Sequence, residues 1–305
     1  MLYYCGELVN MEMNKKRCLF IINPISGIGK QKLLPQLIKR HLDHLQYSYD
    51  IAYTQYAGHA PLLTDENKAD FDIVVAVGGD GTVNEVATAL VDSPTTLAVI
   101  PSGSGNGFAR YLDISMQVSK AIAQLNSCKV KKLDTGLLND KTFFNVSGVG
   151  FDGQISKTFA EQLKRGYMTY ARCVIEEFQT FAPKKFRYQF QGQVVEEDYF
   201  LIAFANTTQY GNNAIIAPHA SASDGLLDIV LVRPFPPFHL PTFTMMALFR
   251  NLHHSPYVRI IQTTEFSIEN IDQAPIHIDG EYLSNDENIR VSIKAGSLRV
   301  MAPVK

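Results

Sequence analysis

Three short polar segments hold the residue types that phosphate chemistry needs. They are Asn23-Pro24-Ile25-Ser26-Gly27, Val77-Gly78-Gly79-Asp80-Gly81-Thr82-Val83-Asn84-Glu85 and Pro101-Ser102-Gly103-Ser104-Gly105-Asn106-Gly107. Glycine lets a backbone turn left-handed and approach a ligand closely, and the N–H groups that open a helix attract an anion. A glycine turn is equally an ordinary tight connection when it stands alone, so the weight comes from finding three. None of them is a P-loop, because Pro24 stands where Gly29-Lys30 would need a glycine, and none is GxGxxG at a first strand-to-helix turn. Carboxylates supply the other half of phosphoryl chemistry, which needs a cation and a proton acceptor as well as phosphate donors. Asp80 sits inside the second turn, where it suits a cation or a proton, and Asp279-Gly280-Glu281 follows the apolar run Ile276–Ile278. The plain alternative for Asp279-Gly280 is a solvated hairpin turn.

Each glycine turn needs a strand before it and a helix after it. Cys18–Ile22, Ile73–Val77 and Ala98–Ile100 read as buried strands, while Leu34, Leu37, Ile38 and Leu45, and Val83, Val86, Ala87 and Leu90, recur at helical spacing. Three such units place their turns together at the carboxyl edge of a parallel sheet, where open α/β sheets bind ligands. Strand and helix alternate to about residue 135. Helical stretches at roughly 152–164 and 167–180 follow, with Lys164-Arg165-Gly166 as the stop between them. Short β-rich runs then dominate: 185–190, 199–205, 227–232, 257–261, 265–268, 276–278, 289–293 and 298–301. These predict an α/β domain followed by an all-β sandwich. His59 precedes a helix and reads as structural rather than catalytic.

Composition restricts the partners. A chain of 305 residues with 46% hydrophobic and 19% charged residues has ordinary globular usage, and its net charge of −2 argues against nucleic acid. No apolar run approaches the ~18 residues of a membrane span. The four cysteines, at 5, 18, 128 and 173, lack metal or redox spacing and read as reduced thiols. A cytoplasmic protein is expected. The segment Phe235 to Phe249, ending at Arg250, suits either a bilayer surface or a helix covering the core, and core cover is the stronger reading.

The runs GGDGTVNEV, NPISG and PSGSGNGFAR resemble the diacylglycerol kinase catalytic family, which includes bacterial diacylglycerol kinases and sphingosine kinases. The resemblance continues through Leu133-Asp134-Thr135-Gly136, Phe144–Asp152, Lys164–Ala171, Ser221–Asp228 and Asp279-Gly280-Glu281, from about residue 15 to the end. It implies an α/β nucleotide-binding domain of the NAD kinase and diacylglycerol kinase type at 14–137, rejoined by about 296–305, and a β-sandwich lipid-substrate domain at 138–295. It implies ATP and Mg²⁺, with nucleotide contacts from Asn23, Pro24, Ser26, Gly27, Thr54, Gly78, Gly79, Asp80, Gly81, Thr82, Asn84 and Ser104. Glu281 is favoured as proton acceptor, followed by Asp279, with Asp80 a separate catalytic candidate. Ser221, Asp224 and Leu226 are the implied metal ligands, and Asp134 is linked to them through water. The implied acceptor is a lipid hydroxyl met at the membrane surface by peripheral contact, in the diacylglycerol, sphingoid base or phosphatidylglycerol class. A homodimer is left open. One departure stands out: Gly107 replaces the aspartate that commonly follows the third-turn asparagine. The alternatives are phosphorylation of a soluble acceptor in the manner of NAD kinase, and a nucleotide-binding module without catalysis.

Overall fold

The computed structural model describes residues 15–26, 31–162, 167–211 and 214–304. Gly27 and the expected stop Lys164-Arg165-Gly166 lie outside them. The chain divides into two compact units, residues 1–133 with 297–305, and residues 134–296.

In the first unit, β1 (Lys16–Ile22), β2 (Tyr47–Tyr53), β3 (Ile73–Gly78) and β4 (Thr96–Pro101) pair in parallel in the order β2-β1-β3-β4. Every residue of β3 and β4 is buried, as their unbroken apolar runs require of strands covered on both faces. The end of the chain returns to this unit, where Val300 pairs in parallel with Leu97. The helices are α1 (Leu34–His41), α2 (His59–Asn67), α3 (Asp80–Leu90), α4 (Gly107–Tyr111) and α5 (Val118–Leu125). The apolar stripe read from the sequence of α3 is the buried one: Val83, Val86, Ala87 and Leu90 are at most 3% exposed. Each valine or leucine side chain so buried contributes about 1.5–3 kcal/mol, and Ala87 less. Strand order reverses between β1 and β3, so the loops leaving their carboxyl ends open at a topological switch point.

The second unit begins within β5 (Lys129–Leu138), which forms a hairpin with β6 (Lys141–Phe143). Then come β7 (Val146–Gly150), α6 (Phe151–Ala160), α7 (Tyr167–Thr180), β8 (Lys184–Phe190), β9 (Gln193–Tyr199), β10 (Leu201–Ala205) and β11 (Leu227–Val232). α8 (Leu240–Leu248), β12 (Val258–Thr263), β13 (Glu265–Asn270), β14 (Ile276–Ile278), β15 (Glu281–Ser284) and β16 (Asn288–Ala302) complete it. One antiparallel sheet runs β12-β11-β10-β7-β14-β15. The other has β16, β13, β8 and β9 side by side. Ile202, Phe204, Ile229 and Leu231 from the first sheet meet Phe186, Tyr188, Phe266, Ile268, Ile289 and Val291 from the second, which makes the unit a sandwich. The alternate residues Ala203, Ala205, Val230 and Val232 face the opposite way, onto Phe151, Ile155 and Cys173 of α6 and α7, as the period of two along a strand dictates.

Several local expectations change. Leu45 is 71% exposed beyond the end of α1, because Asp43 accepts the N–H of Leu45 and turns the chain there. The run 199–205 divides at Phe200 into β9 and β10, and the two last runs, 289–293 and 298–301, are one strand, β16. β9 escaped the pattern because Glu196, Glu197 and Asp198 make it polar; it pairs with β8, and Glu196 takes Arg187 at 2.8 Å. α8 buries none of its residues. Phe243 and Met246 pack on the core, but Phe238, Met245, Leu248 and Phe249 are 74%, 52%, 48% and 65% exposed, so core cover accounts for only one side of this segment.

Candidate functional site

Within the first unit the three glycine-rich segments are joined by direct hydrogen bonds. Asn23, just past β1, donates from Nδ2 to Thr82 Oγ1 of α3 at 3.0 Å, and its backbone N–H bonds Val77 O. Ser26 Oγ lies 2.9 Å from Ser102 Oγ, and Ser102 N–H reaches Gly78 O at 2.8 Å. Gly79 and Gly103 face each other so closely that a Cβ on Gly103 would lie 2.6 Å from Gly79 Cα. α3 makes its first helical bond from Val83 N–H to Gly79 O, which leaves the N–H groups of Gly81 and Thr82 without an acceptor among the described residues. Buried Thr54 bonds Ile22 O through its backbone N–H. Pro24 and Ser104 are exposed, and Asn84 lies in the second turn of α3. His59 accepts the N–H of Gln55 at Nδ1 and stacks on Tyr56, in keeping with the structural reading.

Asp80 opens α3, but both of its oxygens are engaged. Oδ2 accepts the N–H of Asn106 at 2.7 Å and Oδ1 that of Gly107 at 2.8 Å. Burial pushes its carboxyl pKa up, and the N–H groups of Asn106, Gly107, Phe108 and Asp80 itself draw it back. Asn106 is held in the left-handed region at φ 53° and caps its own loop, accepting from Gly103 N–H and donating to Gly103 O.

In the second unit, Asp279 and Gly280 are the two residues of the β14–β15 hairpin turn, at φ 47° and 88°. Two consecutive left-handed residues make a type I′ turn, for which Asp-Gly is a favoured sequence. Asp279 Oδ2 and Oδ1 accept the N–H groups of Phe144 and Asn145, each at 2.8 Å. Glu281, the next residue, is exposed, and its carboxylate has no hydrogen-bond or ionic partner among the described residues.

The segment Ser221–Leu226 is a surface turn. Asp224 Oδ1 accepts Leu226 N–H at 3.0 Å, and Ser221 Oγ contacts Ser223 Oγ at 3.2 Å. Asp134 holds this turn from beneath: Oδ2 accepts Gly225 N–H at 2.8 Å, Oδ1 accepts Gly296 N–H at 2.7 Å, and its own N–H reaches Ala222 O. Among the described residues no group of three or more His, Cys, Asp or Glu side chains is placed to share a metal. The oxygens left for a cation are those of a single carboxylate and of main-chain carbonyls, a hard-donor set that fits Mg²⁺ and not a soft metal. Burial pushes the thiols of Cys18 and Cys128 up to about 12 and about 11, so both stay protonated.

One polar cluster was not anticipated from the sequence. Asp152, His277 and Tyr210 meet in the second unit, with His277 only 1% exposed. Tyr210 OH donates to Asp152 Oδ2 at 2.9 Å, and His277 Nε2 lies 3.0 Å from the same oxygen. His277 sits in an apolar strand and looks like a core residue in sequence, and its partners are far away along the chain.

Two family models cover this chain, "Diacylglycerol kinase catalytic domain" over residues 17–138 and "YegS C-terminal NAD kinase beta sandwich-like domain" over 145–302. A diacylglycerol kinase of Bacillus subtilis is 26% identical over 280 residues, spanning 88% of this chain and 90% of that protein. A Pseudomonas aeruginosa protein described as "Probable lipid kinase YegS-like" is 30% identical over 239 residues, spanning 77% and 78% of the two chains. The crystal structure of a diacylglycerol kinase from Bacillus anthracis shares the fold, with a TM-score of 0.74 at 21% identity over 94% of this chain and 97% of that one. With both of its segments matched in order, the chain belongs to the diacylglycerol kinase family.

Proposed function

We propose that this protein is an ATP-dependent lipid kinase that transfers the γ-phosphoryl group to a lipid hydroxyl of the diacylglycerol, sphingoid base or phosphatidylglycerol class. The observation that carries the reading is the gathering of Asn23, Gly78–Thr82 and Ser102–Gly107 at the switch point, with the N–H groups of Gly81 and Thr82 left to meet phosphate oxygens. Asn23, Pro24, Ser26, Gly27, Thr54, Gly79, Asn84 and Ser104 complete the proposed nucleotide contacts, Gly27 on family grounds alone. Phosphoryl transfer asks mainly for positioning and charge neutralisation, and such loops supply both.

Among the three acidic candidates, Glu281 is the proposed proton acceptor, because its exposed carboxylate has no partner among the described residues and can turn to a substrate hydroxyl. Asp80 and Asp279 each accept a backbone N–H on both oxygens, which fixes their direction and makes them weaker bases, so their proposed roles are to hold the third turn and the hairpin in place. Ser221 and Leu226, through their carbonyls, and Asp224, through its side chain, would hold Mg²⁺, with Asp134 fixing the turn through Gly225. A bound divalent cation there would supply positive charge and rigidity. With glycine at position 107, the carboxylate bonded to the third turn is that of Asp80.

The lipid is met at a membrane surface through the exposed face around α8. Residues 229–264 contain no Asp or Glu, and Arg250 ends the exposed apolar run of Phe238, Met245, Leu248 and Phe249. Apolar side chains beside a cation suit an anionic bilayer. Transfer of label from γ-labelled ATP to micellar diacylglycerol, sphingosine, phosphatidylglycerol and soluble NAD tests the function. Label entering a lipid and not NAD is expected. Label entering NAD alone contradicts it, and nucleotide binding without transfer to any of the four supports the regulatory-module alternative.

A further inference from the structure

His277 makes two polar contacts, one from each ring nitrogen. Nδ1 accepts the N–H of Gly280 at 3.1 Å, so Nδ1 carries no proton and a neutral ring must carry it on Nε2. Nε2 faces Asp152 Oδ2 at 3.0 Å, off the line of an aligned hydrogen bond. Asp152 is held in turn by Tyr210 OH on Oδ2 and by Gly153 N–H on Oδ1. The chain of contacts therefore runs from α6 through the imidazole to the turn that bears Glu281. Gly280 is the residue immediately before Glu281, and the other contacts of this turn, Asp279 with Phe144, Asn145 and Ser147, hold its first residue only. Gly280 N–H belongs to the Asp279–Gly280 peptide, so His277 fixes the peptide at the centre of the turn, and Glu281 follows at the head of β15, where it pairs with Ile278.

We propose that His277, braced by Asp152 and Tyr210, is a positioning residue for phosphoryl transfer that sets the direction of the Glu281 carboxylate by fixing Gly280 N–H. The inference rests on Glu281 as the proton acceptor. None of the three residues needs to touch substrate. A side chain displaced by about 1 Å from its reacting geometry costs on the order of a hundredfold in turnover, so the effect should be large for a residue outside the chemistry.

Three variants separate this role from plain core packing, assayed with ATP and whichever lipid accepts phosphate. In His277→Gln the side-chain amide reaches the place of Nε2, but nothing accepts Gly280 N–H. In His277→Asn the carboxamide oxygen stands near Nδ1 and restores that acceptor. Tyr210→Phe removes one hydroxyl and no ring volume. His277→Gln should lower kcat about tenfold to hundredfold with KM for ATP unchanged, His277→Asn should recover most of the loss, and Tyr210→Phe should lower kcat several-fold. Placed on Glu281→Gln, His277→Gln should have no additional effect, because the group it orients is gone. Wild-type kcat in His277→Gln, or an equal loss in the Glu281→Gln background, overturns the positioning role while leaving Glu281 in place. Wild-type kcat in Glu281→Gln overturns both. If His277→Gln does not fold, Tyr210→Phe decides, and unchanged turnover there overturns the proposal.

Discussion

Gly103→Ala tests the idea that the glycine turns of the first unit are packed to hold phosphate. The φ of Gly103 lies outside the left-handed region, so alanine suits its backbone and the cost is steric. An added Cβ would stand 2.6 Å from Gly79 Cα and 2.9 Å from Asn106 Oδ1. Ordinary contact begins at 3.4 Å, so the second and third turns must part by about 0.8 Å. The third turn cannot retreat freely, because Asn106 Oδ1 holds Gly103 N–H and the Asn106 backbone is tied to Asp80. Overpacking of this kind costs about 1–3 kcal/mol. If it falls on the phosphate-binding geometry, affinity for ATP drops by about five- to 150-fold. Calorimetric titration with a non-hydrolysable ATP analogue reads the affinity, and thermal unfolding checks that the variant is folded. A folded Gly103→Ala protein that binds the analogue within a factor of two of wild type refutes the reasoning.

Asp80 has a raised carboxyl pKa, so the folded state holds that proton more tightly than the unfolded chain does. The stability this provides is present at low pH and is lost as pH rises from 3.8 through the folded-state pKa. Melting temperatures of wild type and Asp80→Asn across that range should show the wild type losing ground to the variant as pH increases; the opposite trend contradicts the assignment. Asp134→Asn keeps only one of two oxygen acceptors for Gly225 and Gly296 N–H, and should lose about 1–3 kcal/mol in denaturant unfolding. The pair Phe238→Asp and Phe249→Asp replaces two exposed rings, so folding should be unchanged while binding to phosphatidylglycerol vesicles falls at least about tenfold in sedimentation.

The local features of the fold were legible in the sequence. Unbroken apolar runs identified β3 and β4, and the 3.6-residue stripe of α3 gave its buried face, because both patterns report burial directly. The three turns were legible for the same reason, each being a strand, a glycine cluster and a helix in sequence. What each carboxylate does was not. Asp80 looked free for a cation or a proton until the N–H groups of residues 106 and 107, 26 and 27 positions away, were found on its oxygens. Asp279 likewise read as a second proton acceptor, and its partners lie 134 and 135 residues away. The Asp152–His277–Tyr210 cluster had no local signature, since a histidine between two isoleucines has the pattern of a core strand. β9 was hidden by its acidic run, which a strand tolerates where a neighbouring strand supplies arginine.

In the proposed reaction Glu281 takes the proton of the lipid hydroxyl as phosphate moves to it. Rapid-quench measurement of a single turnover, with Glu281→Gln and wild type each saturated with ATP and lipid, tests it most directly. Unchanged ATP affinity and a transfer rate lower by about a hundredfold or more are expected in the variant. A transfer rate equal to that of the wild type would contradict it.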